Sequence, residues 1–535
     1  MINQSSSKLC WDNLKAALNK WRVAFLIFAL AYAIILLLSL VNLPMEWDEV
    51  IHLNGGLYLH SGLYNSFVNN AFYPPLFDCL TALSFNAFGI SLVSARLVSA
   101  LFSVLSLWIV FELAYRMYGG RTALLSAVFL GIMPGYFWLS RMALLETMLL
   151  FFVTLALLFF FHWLQNRQDR YLVFSGLAVG LGILTKYQMI AVGVIMALST
   201  LFLVKRQLKR AFSRLGLLIV TGALVVIPWV VVAYQVYATK ILDQWLYALQ
   251  VGNPEKSMYS GRYPTPLFYL IEMVWPYNNI HPISIFIYAA GLAGLGVLAW
   301  RHSKEDKFVL IWFVSILIFF TLIVNKEWRY VLPLFPALAI SAAVLIMLAY
   351  GKVDVVWKKK VNVNKKHTAK FAVGLLIVLV AGAMAFSIND AYSIAATFNI
   401  KIEIEPATVY AMSNMQSNDS IMVLAPFNFF SQDMVKFYLW KNGNNQILTF
   451  QYPALPVDTY TPNFNVTELI ELCKQNNVKY LFTYENGGTA TYFNTTLNLQ
   501  KIYEQLYNSG NFSQISSDAT FGANPRRIFI LTFIG

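Results

Sequence analysis

A chain of 535 residues that is 58% hydrophobic and only 12% charged cannot hide its apolar side chains in a soluble core. Composition excludes a soluble globular protein and implies a polytopic membrane protein. The net charge of +13 raises nucleic acid as a partner, but the basic residues fall in clusters that orient a membrane protein, so no nucleic acid is expected. Three cysteines, at positions 10, 79 and 473, stand too far apart for a disulfide framework or a zinc ligand set.

The first apolar run, Val23–Val41, is nineteen residues without a charge. That matches the ~30 Å needed to cross a bilayer as a helix. It is too long for a signal-peptide core and no small-residue cleavage site follows, so it is expected to be a retained first span. Lys8, Lys15, Lys20 and Arg22 precede it and place the N-terminus in the cytoplasm. Further basic clusters follow at Arg116/Arg121, Arg167/Arg170, Lys205–Arg214, Arg301–Lys307 and Lys352–Lys370. Each is separated from the next by enough apolar chain for two spans, which puts all of them on one side. Hydropathy predicts about eleven spans, near 23–41, 92–114, 122–139, 143–163, 171–185, 187–204, 215–235, 282–300, 308–324, 331–350 and 371–388. The odd count sends the C-terminus outside.

Two external loops are long. The first, 42–91, holds Glu46, Asp48 and Glu49 and the sequence Tyr73-Pro74-Pro75-Leu76. The second, 236–281, is rich in Trp245, Tyr247, Tyr259, Tyr263, Tyr269, Trp275 and Tyr277, which also suit interfacial anchoring. The membrane domain is expected over 1–388. From 389 to 535 the composition is that of a small extracytoplasmic α/β domain. Strands are expected at 420–425, 446–450, 478–483 and 527–533, and helices at 432–440, 466–476 and 497–508. Sequons at Asn418, Asn465, Asn494 and Asn511 agree with an external location.

The topology gathers ionisable residues at one outer face. Asp48 and Glu49 follow the first span. Arg141 and Glu146 lie at the turn between the third and fourth spans, Lys186 between the fifth and sixth, and Arg329 between the ninth and tenth. Ionisable groups at that depth mark functional sites by default. Carboxylates can take a proton from an acceptor hydroxyl, and guanidinium or ammonium groups can hold a departing phosphate. Each residue also has a structural alternative. Asp48 can cap a short helix with Glu49 in its first turn. Lys186 can snorkel to the interface. Arg141 can pair with Glu146, and Arg329 and Lys326 can be ordinary loop charges. His52 and His60 offer a weak metal-ligand signal, and Asp78 and Arg96 take no assignment.

The motifs Trp47-Asp48-Glu49, Tyr73-Pro74-Pro75-Leu76, Phe88-Gly89, Ala95-Arg96-Leu97, Ser140-Arg-Met-Ala-Leu-Leu-Glu146, Gly180-Leu-Gly-Ile-Leu-Thr-Lys186 and Arg329-Tyr-Val-Leu-Pro-Leu-Phe-Pro336 occur in register over about 45–350. In this the chain resembles the GT-C membrane glycosyltransferases, in particular the branch of protein O-mannosyltransferases and lipid A aminoarabinose transferases. The resemblance implies a sugar donor on polyprenyl or dolichyl phosphate and an inverting, mannosyltransferase-like transfer outside the cytoplasm to a protein or lipid acceptor. It implies Asp48 as catalytic base with Glu49 second, and Glu146 as the second acidic position, where many relatives carry Asp. It implies contact between Lys186 and the donor phosphate, joined on charge by Arg141 and Arg329, with Tyr73, Pro74 and Pro75 in a substrate loop. Aminoarabinose-type relatives carry Lys before the Pro-Pro pair, where this chain has Tyr73. Protein mannosyltransferases carry a β-trefoil in a loop, and no segment here is long enough for one. Metal use varies within the class, so a divalent cation stays an open candidate with no ligand named. The competing reading is a transporter or flippase of lipid-linked glycans, which would favour polar residues near the bilayer midplane and repeated halves. A membrane scaffold with an external recognition domain is a third reading, and it leaves the gathered charges unexplained.

Overall fold

A computed structural model describes residues 19–70, 73–204, 207–237, 261–276, 281–358, 363–397, 402–424, 430–453, 464–486, 489–492, 495–514 and 516–535. Lys8, Cys10, Lys15, Lys205, most of the loop at 236–281 with Trp245, Tyr247, Tyr259 and Tyr277, and the sequon at Asn494 lie outside the described residues.

The chain begins with α1 (Lys20–Ser39), then α2 (Trp47–His60), α3 (Tyr64–Asn70), α4 (Leu76–Phe88) and α5 (Leu92–Tyr118). There follow α6 (Gly120–Gly131), α7 (Pro134–Leu139), α8 (Glu146–Asn166), α9 (Asp169–Thr185), α10 (Ala191–Leu203) and α11 (Leu208–Tyr237). Then come α12 (Phe268–Glu272), α13 (Ile285–Arg301), α14 (Lys304–Leu322), α15 (Phe335–Lys358) and α16 (Val363–Thr397). Among the described residues, six stretches are long and apolar enough to cross a membrane: Lys20–Ser39, Leu92–Tyr118, Glu146–Asn166, Leu208–Val236, Trp328–Gly351 and Lys370–Ile394. The expected spans at 122–139, 187–204 and 282–300 hold shorter apolar helices, and those at 171–185 and 308–324 hold α9 and α14. The span expected at 122–139 is two helices, because Pro134 has no N–H to continue α6 and instead starts α7. The span expected from 143 begins at Glu146, since Ser140–Leu145 forms a turn.

α8 is buried on nearly all faces, which explains a helix apolar all round with no polar stripe. α1 leaves Leu26, Ile27, Leu30, Ile34, Leu37 and Leu38 exposed, the surface a bilayer would cover. α9 and α11 approach closely through small residues. A Cβ on Gly180 would sit 2.7 Å from Val225 Cβ, and one on Gly176 would strike Thr221 Oγ1.

The chain ends in a mixed sheet with helices α17 (Ile404–Ser413), α18 (Gln432–Lys441), α19 (Val466–Gln475) and α20 (Leu499–Asn508). Its strands are β1 (Ser420–Leu424), β2 (Leu448–Tyr452), β3 (Val478–Asn486), β4 (Thr489–Tyr492), β5 (Thr495–Asn498), β6 (Thr520–Ala523) and β7 (Arg526–Thr532). β1 lies parallel between β2 and β3, with Leu424 opposite Tyr452 on one side and Thr483 on the other. Parallel neighbours need crossovers, and α18 and α19 supply them. β3 then pairs antiparallel with β7, and β7 with β6. β1 is buried along its whole length, so it reads as the unbroken apolar run Ser420-Ile-Met-Val-Leu424. Met422, Leu424, Leu469, Cys473, Leu481, Ile502, Leu506 and Leu531 form the core on one face. The hairpin β4–β5 and strand β6 are additions to the expected elements; four-residue segments such as Thr-Ala-Thr-Tyr, Thr-Thr-Leu-Asn and Thr-Phe-Gly-Ala carry too little pattern to be read.

The structure divides into two compact units that do not follow chain order. One holds the chain to Leu40, Ala71–Phe77 and Arg96–Ala396. The other joins Val41–Asn70 and Asp78–Ala95 to Thr397–Gly535.

Candidate active site

In the second unit, the acidic stretch builds the start of α2. Glu46 is the N-cap in extended backbone, and Glu46 and Glu49 close a reciprocal capping box in which Glu49 Oε2 accepts the Glu46 N–H at 3.1 Å. The reading of Asp48 as the cap is therefore corrected: Asp48 is the second residue inside the helix, two positions past the cap. Glu49 is fully buried and Asp48 half-buried. All three carboxylates suit the positive end of the helix dipole.

One turn beyond Asp48, the buried His52 shares a hydrogen bond between its Nδ1 and Asp78 Oδ1 at 2.8 Å. Asp78 is the third residue of α4, and burial pushes its carboxyl above the usual carboxylate range against the pull of His52. α2 and α4 meet where α2 has no side chains. A Cβ on Gly56 would lie 2.6 Å from Thr81 Cγ2, and one on Gly55 would collide with Asp78 Oδ2. His60 lies edge-on to Phe85 with ring centres 6.3 Å apart. Among the described residues no three of His, Cys, Asp or Glu come close enough to share a metal ion.

In the first unit, Glu146 opens α8 and is buried. Lys186, in extended backbone at the end of α9, donates Nζ–H to Glu146 Oε1 at 2.9 Å and stands 5.1 Å over the Tyr330 ring. Arg329, in the 3-10 turn Trp328–Leu334, places Nε 3.9 Å from the same oxygen and 2.6 Å from Glu327 Oε2. Three hairpins thus converge on one carboxylate. Lys186 is 7% exposed, so it does not snorkel, and Arg329 is no ordinary loop charge. Glu146 pairs with Lys186 and Arg329 rather than with Arg141, the alternative that proximity in sequence offered.

Arg141 is buried in the Ser140–Leu145 turn with its guanidinium 4.6 Å from the Phe137 ring centre. Its Nε and Nη2 have no hydrogen-bond partner among the described residues. Burial and the nearby Arg96 charge pull it down to about 10, which leaves it cationic at neutral pH. Arg96, fully buried, donates Nη1–H to Leu40 O at 2.9 Å and so closes the carboxyl end of α1. Lys326 is buried and donates to Ile323 O at 2.6 Å. Tyr73, Pro74 and Pro75 form the bend that leads into α4, with Pro74 buried.

Sequence reasoning left Asp78 and Arg96 without roles. The signal for Asp78 was an acid inside the otherwise apolar Leu76–Phe88; no spacing tied it to His52, 26 residues away.

Residues 73–232 match the family described as dolichyl-phosphate-mannose-protein mannosyltransferase. Over 273 residues the chain is 28% identical to an undecaprenyl phosphate-alpha-4-amino-4-deoxy-L-arabinose arabinosyl transferase of Erwinia tasmaniensis, which covers 48% of this chain and 46% of that one. The protein of the same name from Pectobacterium carotovorum is 28% identical over 306 residues, 55% of this chain and 52% of that one. The chain thus spans about half the length of the curated relatives it matches. In fold it is similar to ArnT from Cupriavidus metallidurans, with a TM-score of 0.62 over 96% of this chain and 98% of that one at 16% identity. ArnT bound to undecaprenyl phosphate gives 0.61 over the same shares at 17% identity. The archaeal oligosaccharyltransferase AglB from Archaeoglobus fulgidus gives 0.55 over 85% and 69% at 14% identity. By sequence over 73–232 and by fold over nearly the whole chain, the resemblance to the GT-C membrane glycosyltransferases is borne out, in the branch that includes the mannosyltransferase family and the aminoarabinose transferases.

Proposed function

We propose that the protein transfers a sugar from a polyprenyl or dolichyl phosphate to an acceptor hydroxyl on the outer side of the membrane. The observation that carries this reading is the matched segment 73–232, which contains both the buried Glu146–Lys186 pair and the buried Arg141. Such cations are suited to an anionic leaving group in a low-dielectric setting. In the proposed step Asp48 takes the acceptor hydroxyl proton and the oxygen bonds to the anomeric carbon. The bond from that carbon to the phosphate oxygen breaks, and the lipid phosphate leaves with the electron pair. Asp48 is favoured over Glu49 because the Glu49 carboxylate is engaged in the helix cap. Lys186, Arg141 and Arg329 are assigned to the phosphate. The likeness to ArnT bound to undecaprenyl phosphate supports a lipid-phosphate donor. The family match favours a mannosyl donor and the curated relatives an aminoarabinosyl one. The N-terminus is assigned to the cytoplasm and residues 389–535 to the outside.

The test is transfer from a panel of radiolabelled polyprenyl-phosphate sugars to membrane acceptors, comparing wild type with Asp48→Asn. Wild type is expected to label acceptor from one donor. The variant should lose roughly 10²- to 10⁴-fold in rate while remaining inserted and folded. Undiminished turnover in the variant removes Asp48 as base. No label from any donor moves the weight to a transporter of lipid-linked glycans.

A further inference from the structure

The segment after residue 397 has no part in the proposed chemistry, yet within the second unit it grips the helix that carries Asp48. The contacts come from one face of α18, at Asp433, Lys436, Phe437 and Trp440, the i, i+3, i+4, i+7 spacing of a single stripe. Asn54 Nδ2–H donates to the Asp433 carbonyl at 3.3 Å. Tyr58, one turn further along α2, meets Trp440 edge-on with ring centres 5.4 Å apart. Lys436 Nζ donates to the Tyr58 hydroxyl and lies 5.0 Å from that ring and 6.0 Å from Trp440. Phe437 lies 6.5 Å from Phe85 of α4. The opposite face of α18 buries Met434, Val435 and Leu439, so the helix is anchored in its own domain. α4 holds α2 through His52–Asp78 and the glycine contact, and α18 holds its second half.

We infer that α18 is a positioning element for Asp48, with Lys436 and Trp440 as the positioning residues. This rests on the reading of Asp48 as the base. Ten residues of helix separate Asp48 from Tyr58, about 15 Å. A tilt of a few degrees over that length moves the carboxylate by about 1 Å, enough to cost on the order of 10²-fold in rate. Residues 397–535 are then a working part of the transferase rather than an appendage that captures acceptor.

The test uses the full-length protein in nanodiscs, with hydrogen–deuterium exchange of α2 amides measured beside transfer kinetics. The variants are Lys436→Met/Trp440→Ala, the conservative pair Lys436→Arg/Trp440→Phe, and Tyr58→Phe, which removes only the hydroxyl. In the first variant the α2 amides are expected to exchange roughly tenfold faster, while β1 and β3 stay protected. Its kcat should fall at least tenfold with acceptor KM unchanged. The conservative pair should restore both readouts, and Tyr58→Phe should shift them the same way by less. Unchanged α2 exchange overturns the grip. Faster exchange with unchanged kcat overturns the positioning role, and a raised acceptor KM at unchanged kcat overturns it in favour of acceptor recognition. If wild type transfers from no donor, the proposed function fails by itself; loss of α2 protection still supports the grip, and its absence overturns it.

Discussion

Two buried acids sit at comparable hydrogen-bond distances from a nitrogen base, and their surroundings make them different devices. Glu146 meets two permanent cations, Lys186 at 2.9 Å and Arg329 at 3.9 Å, with Glu327 balancing the second. Asp78 meets a single imidazole at 2.8 Å. Both are nearly sealed from solvent. Around Glu146, charges from three hairpins offset the desolvation of a carboxylate. Around Asp78, burial outweighs the one partner and pushes the carboxyl upward. The first arrangement suits a site that must stay polar and charged. The second suits a joint between two helices. The same residue class sits among cations in one unit and joins two helices in the other, and among the described residues the number of neighbouring cations distinguishes them.

Removing a partner from the charged site should have the largest effect. Lys186→Met leaves Glu146 buried beside Arg329 alone and is expected to destabilise the protein by about 3–5 kcal/mol in thermal unfolding of the detergent-solubilised protein. Glu146→Gln/Lys186→Met should recover most of that stability without restoring transfer. A single variant as stable as wild type would make the pair incidental. A smaller effect is expected at the joint. Gly55→Ala drives a methyl against Asp78 Oδ2 and should cost about 1–3 kcal/mol by the same assay, since neither helix can retreat without opening the Gly56–Thr81 contact. The smallest effect is in pH dependence. Because the folded-state pKa of Asp78 is raised, the native state binds its proton more tightly than the unfolded chain does. Wild type should therefore lose stability as pH rises from the ordinary aspartate range through the raised value, and then level off. Asp78→Asn should lack that component, so the gap between the two shifts in the variant's favour over the same window. Parallel stability curves would show that His52 balances Asp78 after all.

The C-terminal α/β segment was readable because β1, α18, α19, β3, α20 and β7 carry strong period or unbroken apolar runs, and their boundaries fall within three residues of those expected. The membrane spans were readable as apolar mass, but Pro134 and the turn at Ser140–Leu145 show how hydropathy overlooks backbone punctuation. The sequence located Glu146, Lys186 and Arg329 at the turns between apolar stretches because few charges interrupt such apolar chain. It raised Arg141 only as an alternative partner for Glu146, being near in sequence, and gave no sign that Lys186 and Arg329, near only in space, are its partners.

The sequence alone determined that this is a multi-span membrane protein with an α/β region after its apolar stretches, because composition, charge placement and apolar period are local properties, and its motifs carried the resemblance to the GT-C transferases. Tertiary structure decided which charges neutralise one another, which cation keeps N–H groups without a partner among the described residues, and that 41–70 and 78–95 pack with 397–535. Those depend on which side chains remote in sequence share a desolvated space, and pairing at 3 Å leaves no period in the chain to read.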